Sequence, residues 1–141
     1  MLYLNYLGNI DNTPKEALKY LVVRLLPPNF NPYLHPDIHH KPQLSPSRQL
    51  LLAAKNGNIS FDEFKRCFLD ELHTRQDMKK AVKDLVQQLQ AGKNICLICY
   101  EERSEECHRK ILADYLRERF GIDYRDIQKR KEEYQQLSLW D

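Results

Sequence analysis

Apolar residues recur along this chain with two periods, and the places where one period gives way to the other mark its elements. Leu2-Tyr3-Leu4-Asn5-Tyr6-Leu7 is short and rich in aromatic and aliphatic side chains, which predicts a β-strand. Gly8-Asn9 punctuates it, and Asp11-Asn12-Thr13-Pro14 predicts a turn or a helix start. Leu21-Val22-Val23-Arg24-Leu25 predicts a second, buried strand that Pro27-Pro28 ends. Residues 27–46 hold six of the seven prolines together with His35, His39 and His40. Proline supplies no backbone donor, so this stretch predicts neither helix nor central strand.

Period 3.6 takes over at Ser45-Pro46-Ser47, where Ser45 is the expected N-cap and Pro46 the first helical position of a helix over Arg48–Lys55. Asn56-Gly57 is its left-handed exit. Ser60-Phe61-Asp62-Glu63 spells a capping box, and the helix it opens carries Phe61, Phe64, Phe68 and Leu72 on one face, predicted as core. A third helix is expected over Gln76–Leu89, with Met78, Val82, Leu85, Val86 and Leu89 in the same rhythm, ended by Ala91-Gly92. Asn94-Ile95-Cys96-Leu97-Ile98-Cys99-Tyr100 is the strongest strand signal and is expected at the sheet centre. Ser104 is the expected cap of a helix over Glu105–Phe120 that Gly121 closes. Tyr124-Arg125-Asp126-Ile127 predicts a short last strand. Strands alternating with helices predict an α/β fold in three layers, a small, mostly parallel sheet with helices on its faces. The expected domain is residues 1–127, followed by a charged tail over residues 128–141.

Composition narrows the classes. With 42% apolar and 30% charged residues in 141, the chain suits one ordinary domain with a single core. No apolar run approaches the ~20 residues of a membrane span, and Met1–Tyr6 lacks a signal peptide's basic opening, so the cytoplasm is the expected compartment. A net charge of +2 argues against strong direct nucleic-acid binding. The one basic run, Lys129-Arg130-Lys131, meets Glu132-Glu133 at once and reads as a solvated face. Cys67, Cys96, Cys99 and Cys107 read as free thiols.

Cys99-Tyr100-Glu101 followed by Cys107-His108-Arg109 is the pattern that carries a family likeness. It resembles the YeaO-like domains of unknown function, whose last main strand ends in Cys, an aromatic or small residue and Glu, with Cys-His-Arg opening the next helix. Upstream, Leu44-Ser45-Pro46-Ser47 resembles the family's Leu-Ala-Pro-Ser helix start, and Asn56–Ser60 with Phe61–Leu72 its following helix. Tyr6-Leu7-Gly8-Asn9 resembles its first strand and loop, and Val23-Arg24 with Pro27-Pro28 its second. The likeness covers about Met1 to Ile127. It implies a fold and a site, with Tyr6, Asn9, Arg24, Ser47, Cys99 and Glu101 as ligand-binding candidates, and no substrate. Cys96 and Cys67 have no family motif behind them.

In open α/β sheets ligands bind beyond the carboxyl ends of the strands. Cys99 ends such a strand, and Cys107, His108 and Arg109 open the helix after it, where the helix N-terminus favours anions. Three readings stay open. In the first, Cys107 is a nucleophile, His108 its proton acceptor and Arg109 an anion clamp. Against it, consecutive helical residues point about 100° apart, and Glu105 and Glu106 oppose a thiolate. The second is a pocket for a nucleotide or other small anionic ligand, lined by the thiols. In the third the thiols are small buried hydrophobes and His108 and Arg109 brace the loop. Ser47 has the plain alternative role of helix cap.

Zinc on Cys96, Cys99, Cys107 and His108 is not expected, because residues three apart on a strand face opposite ways. No cofactor is expected either. His35, His39 and His40 read as solvated side chains rather than metal ligands or general bases. At the end of the chain, Gln136-Leu137-Ser138-Leu139-Trp140 resembles the pentapeptide by which bacterial DNA polymerases and repair proteins dock on the sliding clamp. That likeness implies a clamp partner, with Gln136 in a polar subsite and Leu137, Leu139 and Trp140 as apolar contacts. The alternative is that Leu137, Leu139 and Trp140 pack back on the domain.

Overall fold

The computed structural model describes residues 1–99 and 107–127. Strands β1 (Leu2–Tyr6), β2 (Leu18–Leu21), β3 (Ile38–His40), β4 (Ile95–Cys99) and β5 (Tyr124–Asp126) form one sheet in the order β3-β2-β4-β1-β5, and every pairing is parallel. Helices α1 (Arg48–Lys55), α2 (Phe61–Thr74), α3 (Gln76–Gln90) and α4 (His108–Phe120) complete the three-layer α/β fold. No helix among the described residues is long and apolar enough to cross a membrane.

Strand β4 is central for a simple reason. All five of its residues are apolar and buried, so both its faces need cover. Leu2, Leu4, Tyr20, Ile95, Leu97 and Cys99 join the core formed with all four helices. Leu21, Cys96 and Ile98 turn the other way, to a smaller core covered by Leu7 and Ile10 of a 3-10 turn and by Leu26 and Phe30 of the proline-rich loop. Cys96 and Cys99 therefore face opposite layers, as the strand period demands. Helix α3 buries all five side chains that its period selects. Each contributes roughly 1.5–3 kcal/mol of transfer free energy, before ordering costs. The Ser60–Glu63 capping box opens α2 as read from the sequence.

Four expectations need correction. Strand β2 spans Leu18–Leu21 rather than Leu21–Leu25, because Lys19, which hides its start in a hydropathy reading, reaches Asp37 at 2.8 Å beside the edge strand. The proline-rich stretch contributes that edge strand, β3, in its proline-free interval between Pro36 and Pro42. Ser47, not Ser45, caps α1: its hydroxyl accepts from Leu50 N–H, whereas the Ser45 hydroxyl turns inward to the Pro42 carbonyl. Phe61 is 38% exposed, sitting at the first turn of α2 beyond the edge of the core that Phe64 and Phe68 enter. The predicted Ser104 cap lies outside the described residues, and α4 starts at His108 with Cys107 as an extended N-cap (φ −113, ψ 145). Gly121 ends α4 in the left-handed region at φ 68, as expected.

Candidate functional site at the carboxyl edge of the sheet

Parallel pairing brings the exits of β1, β2 and β4 to one edge, with β4 between the other two rather than β1 beside β2. Cys99 is the last residue of β4, and the N-terminus of α4 returns over it. The Cys107 thiol donates to the Cys99 sulfur at 3.1 Å. A nitrogen of His108, Nε2, lies 2.5 Å from the Val22 carbonyl and 3.5 Å from Cys99 Sγ, while Nδ1 lies 3.9 Å from Cys107 Sγ. Because a carbonyl only accepts, Nε2 carries the hydrogen toward Val22, and Nδ1 is the nitrogen near Cys107. Phe68 packs edge-on against the imidazole at 5.8 Å between centroids and fixes its plane.

The expected 100° divergence of Cys107 and His108 does not arise. It assumed that both residues are helical, and the extended backbone of Cys107 swings its thiol back over the ring that follows. The nucleophile reading meets a different obstacle. Cys107 is 2% exposed, and burial, followed by the hydrogen bond to Cys99, pushes its thiol pKa up. Arg109 is wholly buried. Burial opposes its charge, but Cys107, Cys99 and Asp126 outweigh that effect and raise its pKa.

His108 also borders a cleft of about 260 Å³ lined by Val23, Arg24, Leu25, Arg48, Leu51, Leu52 and Lys55. Arg24 reaches it from the exit of β2, anchored by hydrogen bonds from Nη2 to the Ser45 and Pro46 carbonyls at 3.3 and 3.0 Å. Burial, then the like charge of Arg75, lowers the pKa of Arg24 from the ordinary guanidinium value. Arg48, Leu51, Leu52 and Lys55 come from one face of α1. Sequence reasoning placed that helix but missed its face, although the spacing i, i+3, i+4, i+7 with a cation at each end was there to read.

The remaining candidates separate. Tyr6 is the partner of Cys99 in the sheet register. Asn9 is not in the cleft: its amide donates to Asn5 Oδ1 at 3.0 Å and its carbonyl accepts from Asn5 Nδ2 at 2.9 Å, closing the turn after β1. Ser47 is committed to capping α1 and to Glu71, whose carboxylate accepts from its hydroxyl at 2.5 Å and its N–H at 2.8 Å. Arg75 joins the same knot through Glu71, Asp77 and the Ser45 carbonyl, a link between loop, α2 and α3. His39 and His40 both lie exposed on the edge strand, where His40 contacts the Val23 carbonyl at 2.8 Å and His39 packs edge-on against Tyr20. Glu101 and the tail residues Gln136, Leu137, Leu139 and Trp140 lie outside the described residues.

Residues 3–120, which span the sheet through β4 and all four helices, match the family described as the active DUF488-N3 subclade. The chain belongs to this family. No curated protein and no solved structure matches it. What the DUF488 chain brings together is thus defined by its own geometry. Cys99, Cys107 and His108 each offer a donor atom, all within 4.8 Å of one another, beside a cationic cleft.

Proposed function

We propose that this chain is a YeaO-like member of its family that binds a small anionic ligand, a phosphate or carboxylate with an apolar body, in the cleft beside His108. The observation that carries the reading is the convergence of Arg24, Arg48, Lys55 and His108 on one cleft at the carboxyl edge of a parallel sheet. Arginine suits phosphate and carboxylate through its planar fork, and lysine adds a point charge. Val23, Leu25, Leu51 and Leu52 supply apolar walls. Leu25 and Leu52 stay 72% and 46% exposed at the mouth, a cost that an apolar ligand body would relieve.

Size limits the ligand. Pockets for drug-sized molecules run from about 300 to 1,000 Å³, so a cleft of about 260 Å³ suits a mononucleotide held in part, or a smaller phosphate ester, and not a dinucleotide. Calorimetry with inorganic phosphate, a nucleoside monophosphate and the uncharged nucleoside tests the reading. The two phosphates bind with 1:1 stoichiometry, the nucleoside does not, and Arg48→Ala with Lys55→Ala together remove the heat. A phosphate that gives no heat, or binds the double variant equally well, contradicts it.

The domain boundary near residue 127 and the partner of the tail belong to the same proposal. The likeness of Gln136–Trp140 to clamp-docking peptides supports a bacterial or phage sliding clamp as partner, which would deliver the anion site to replicating DNA. A peptide of the last ten residues then binds the clamp at micromolar strength and loses it on Gln136→Ala, and a peptide that does not bind removes this part alone.

A further inference from the structure

We propose that Cys99, Cys107 and His108 form a site for a thiolate-preferring d-block cation, with Zn²⁺ as the ion to test. The three side chains come from two rigid elements, the last residue of β4 and the first turn of α4, and their donor atoms converge within 4.8 Å. Cys96, whose sequence spacing suggests a fourth ligand, belongs to the opposite core and takes no part.

The distances suit an ion. With metal–sulfur bonds of about 2.3 Å and metal–nitrogen bonds of about 2.0 Å, tetrahedral angles put two sulfurs about 3.7 Å apart and a sulfur and nitrogen about 3.5 Å apart. Here the sulfurs are 3.1 Å apart, and Cys107 Sγ lies 3.9 Å from His108 Nδ1. Each of these two distances lies about half an ångström from its coordinated value.

The surroundings have the form of a metal site's outer shell. A ligating histidine characteristically gives its other ring N–H to a carbonyl or carboxylate, which fixes the tautomer. His108 does this through Nε2 to the Val22 carbonyl, and Phe68 holds its ring. The wholly buried guanidinium of Arg109 adds a positive charge that interacts with both sulfurs. Ile111 and Leu112 of α4 and Leu97 of β4 complete an apolar shell in the same core. Two thiolates and one divalent ion sum to zero charge, which a dry site accepts far better than bare thiolates. On binding, each thiol forms a sulfur–metal bond and gives up its proton, so one Zn²⁺ and two thiols yield the dithiolate complex and two protons in solution. His108 places the ion beside the anion cleft.

The test uses the full-length chain, reduced with a phosphine and stripped by a chelator, with no anion added. Co²⁺ should bind at one equivalent per chain, giving a near-ultraviolet sulfur-to-cobalt charge-transfer band and intense tetrahedral visible bands that Zn²⁺ displaces. Cys99→Ser and Cys107→Ser should abolish the charge-transfer band, His108→Gln should weaken binding roughly a hundredfold or more, and Cys96→Ser and Cys67→Ser should leave the stoichiometry unchanged. Wild-type protein without the band at one equivalent overturns the proposal, as does its survival in both serine variants at the two proposed ligands. So does a Cys99–Cys107 disulfide as the only product, seen as a mass loss of two hydrogens with no metal uptake after reduction. If the variants do not fold, the wild type decides alone: Zn²⁺ must raise Tm and the chelator must reverse the rise, and an unmoved Tm overturns the proposal. Because no phosphate is present, this result stands apart from the fate of the anion cleft.

Discussion

Cys96 and Cys99 stand three residues apart on one buried strand, yet the chemistry around them differs completely. Cys96 lies with Leu21, Val23 and Ile98, and burial pushes its thiol up to about 12, a hydrogen bond to Thr13 opposing only in part. Its polar neighbours are bound to one another: Asn5 Nδ2 donates to Thr13 Oγ1 at 3.0 Å and to the Asn9 carbonyl at 2.9 Å. Cys99 instead meets a second thiol, an imidazole and a buried guanidinium. Satisfied amides close a turn, and convergent soft donors beside a cationic cleft form a site. What separates the two is strand parity together with the return of α4 over one face of the sheet alone.

Four substitutions sharpen that contrast. The largest effect on stability is expected at Arg109→Ala, which should cost about 3–5 kcal/mol in urea unfolding, because it removes a wholly buried charge and leaves partners such as the half-buried Asp126 uncompensated. Asn5→Ala, on the Cys96 face, should cost about 1–3 kcal/mol by stranding Thr13 and Asn9, with phosphate and Co²⁺ binding unchanged. A change in either binding would break the division of labour between the faces. Arg48→Ala should weaken phosphate binding about tenfold in calorimetry, roughly 1.4 kcal/mol, with stability within about 0.5 kcal/mol of wild type. Ser47→Ala should lower stability by about 1 kcal/mol through loss of the α1 cap and leave phosphate affinity alone, which separates capping from ligand binding at that position.

Much of the fold was legible because local rules and tertiary needs agree in it. The five buried positions of α3, the capping box at Ser60–Glu63 and the centrality of β4 follow from spacing alone. Where they disagree, the sequence misleads. Lys19 interrupts an apolar run but, on β2 next to the edge strand, has Asp37 for a partner. Ser45 has the composition of a cap but spends its hydroxyl on Pro42, and Ser47 takes the role. The Cys-His-Arg corner could be placed from the sequence because strand and helix are adjacent there. The cleft could not, because the pairing of α1's Arg48–Lys55 face with His108 spans about two-fifths of the chain and arises only from packing.

The central claim is that the carboxyl-edge corner around His108 is where this protein meets its ligand. The most direct check is a long-range ¹H–¹⁵N spectrum of the histidine rings during titration with a nucleoside monophosphate. The account predicts that the His108 ring signals shift in a saturable 1:1 manner while those of His39, on the exposed edge strand, stay in place. Saturable shifts at other histidines with His108 unmoved would contradict it.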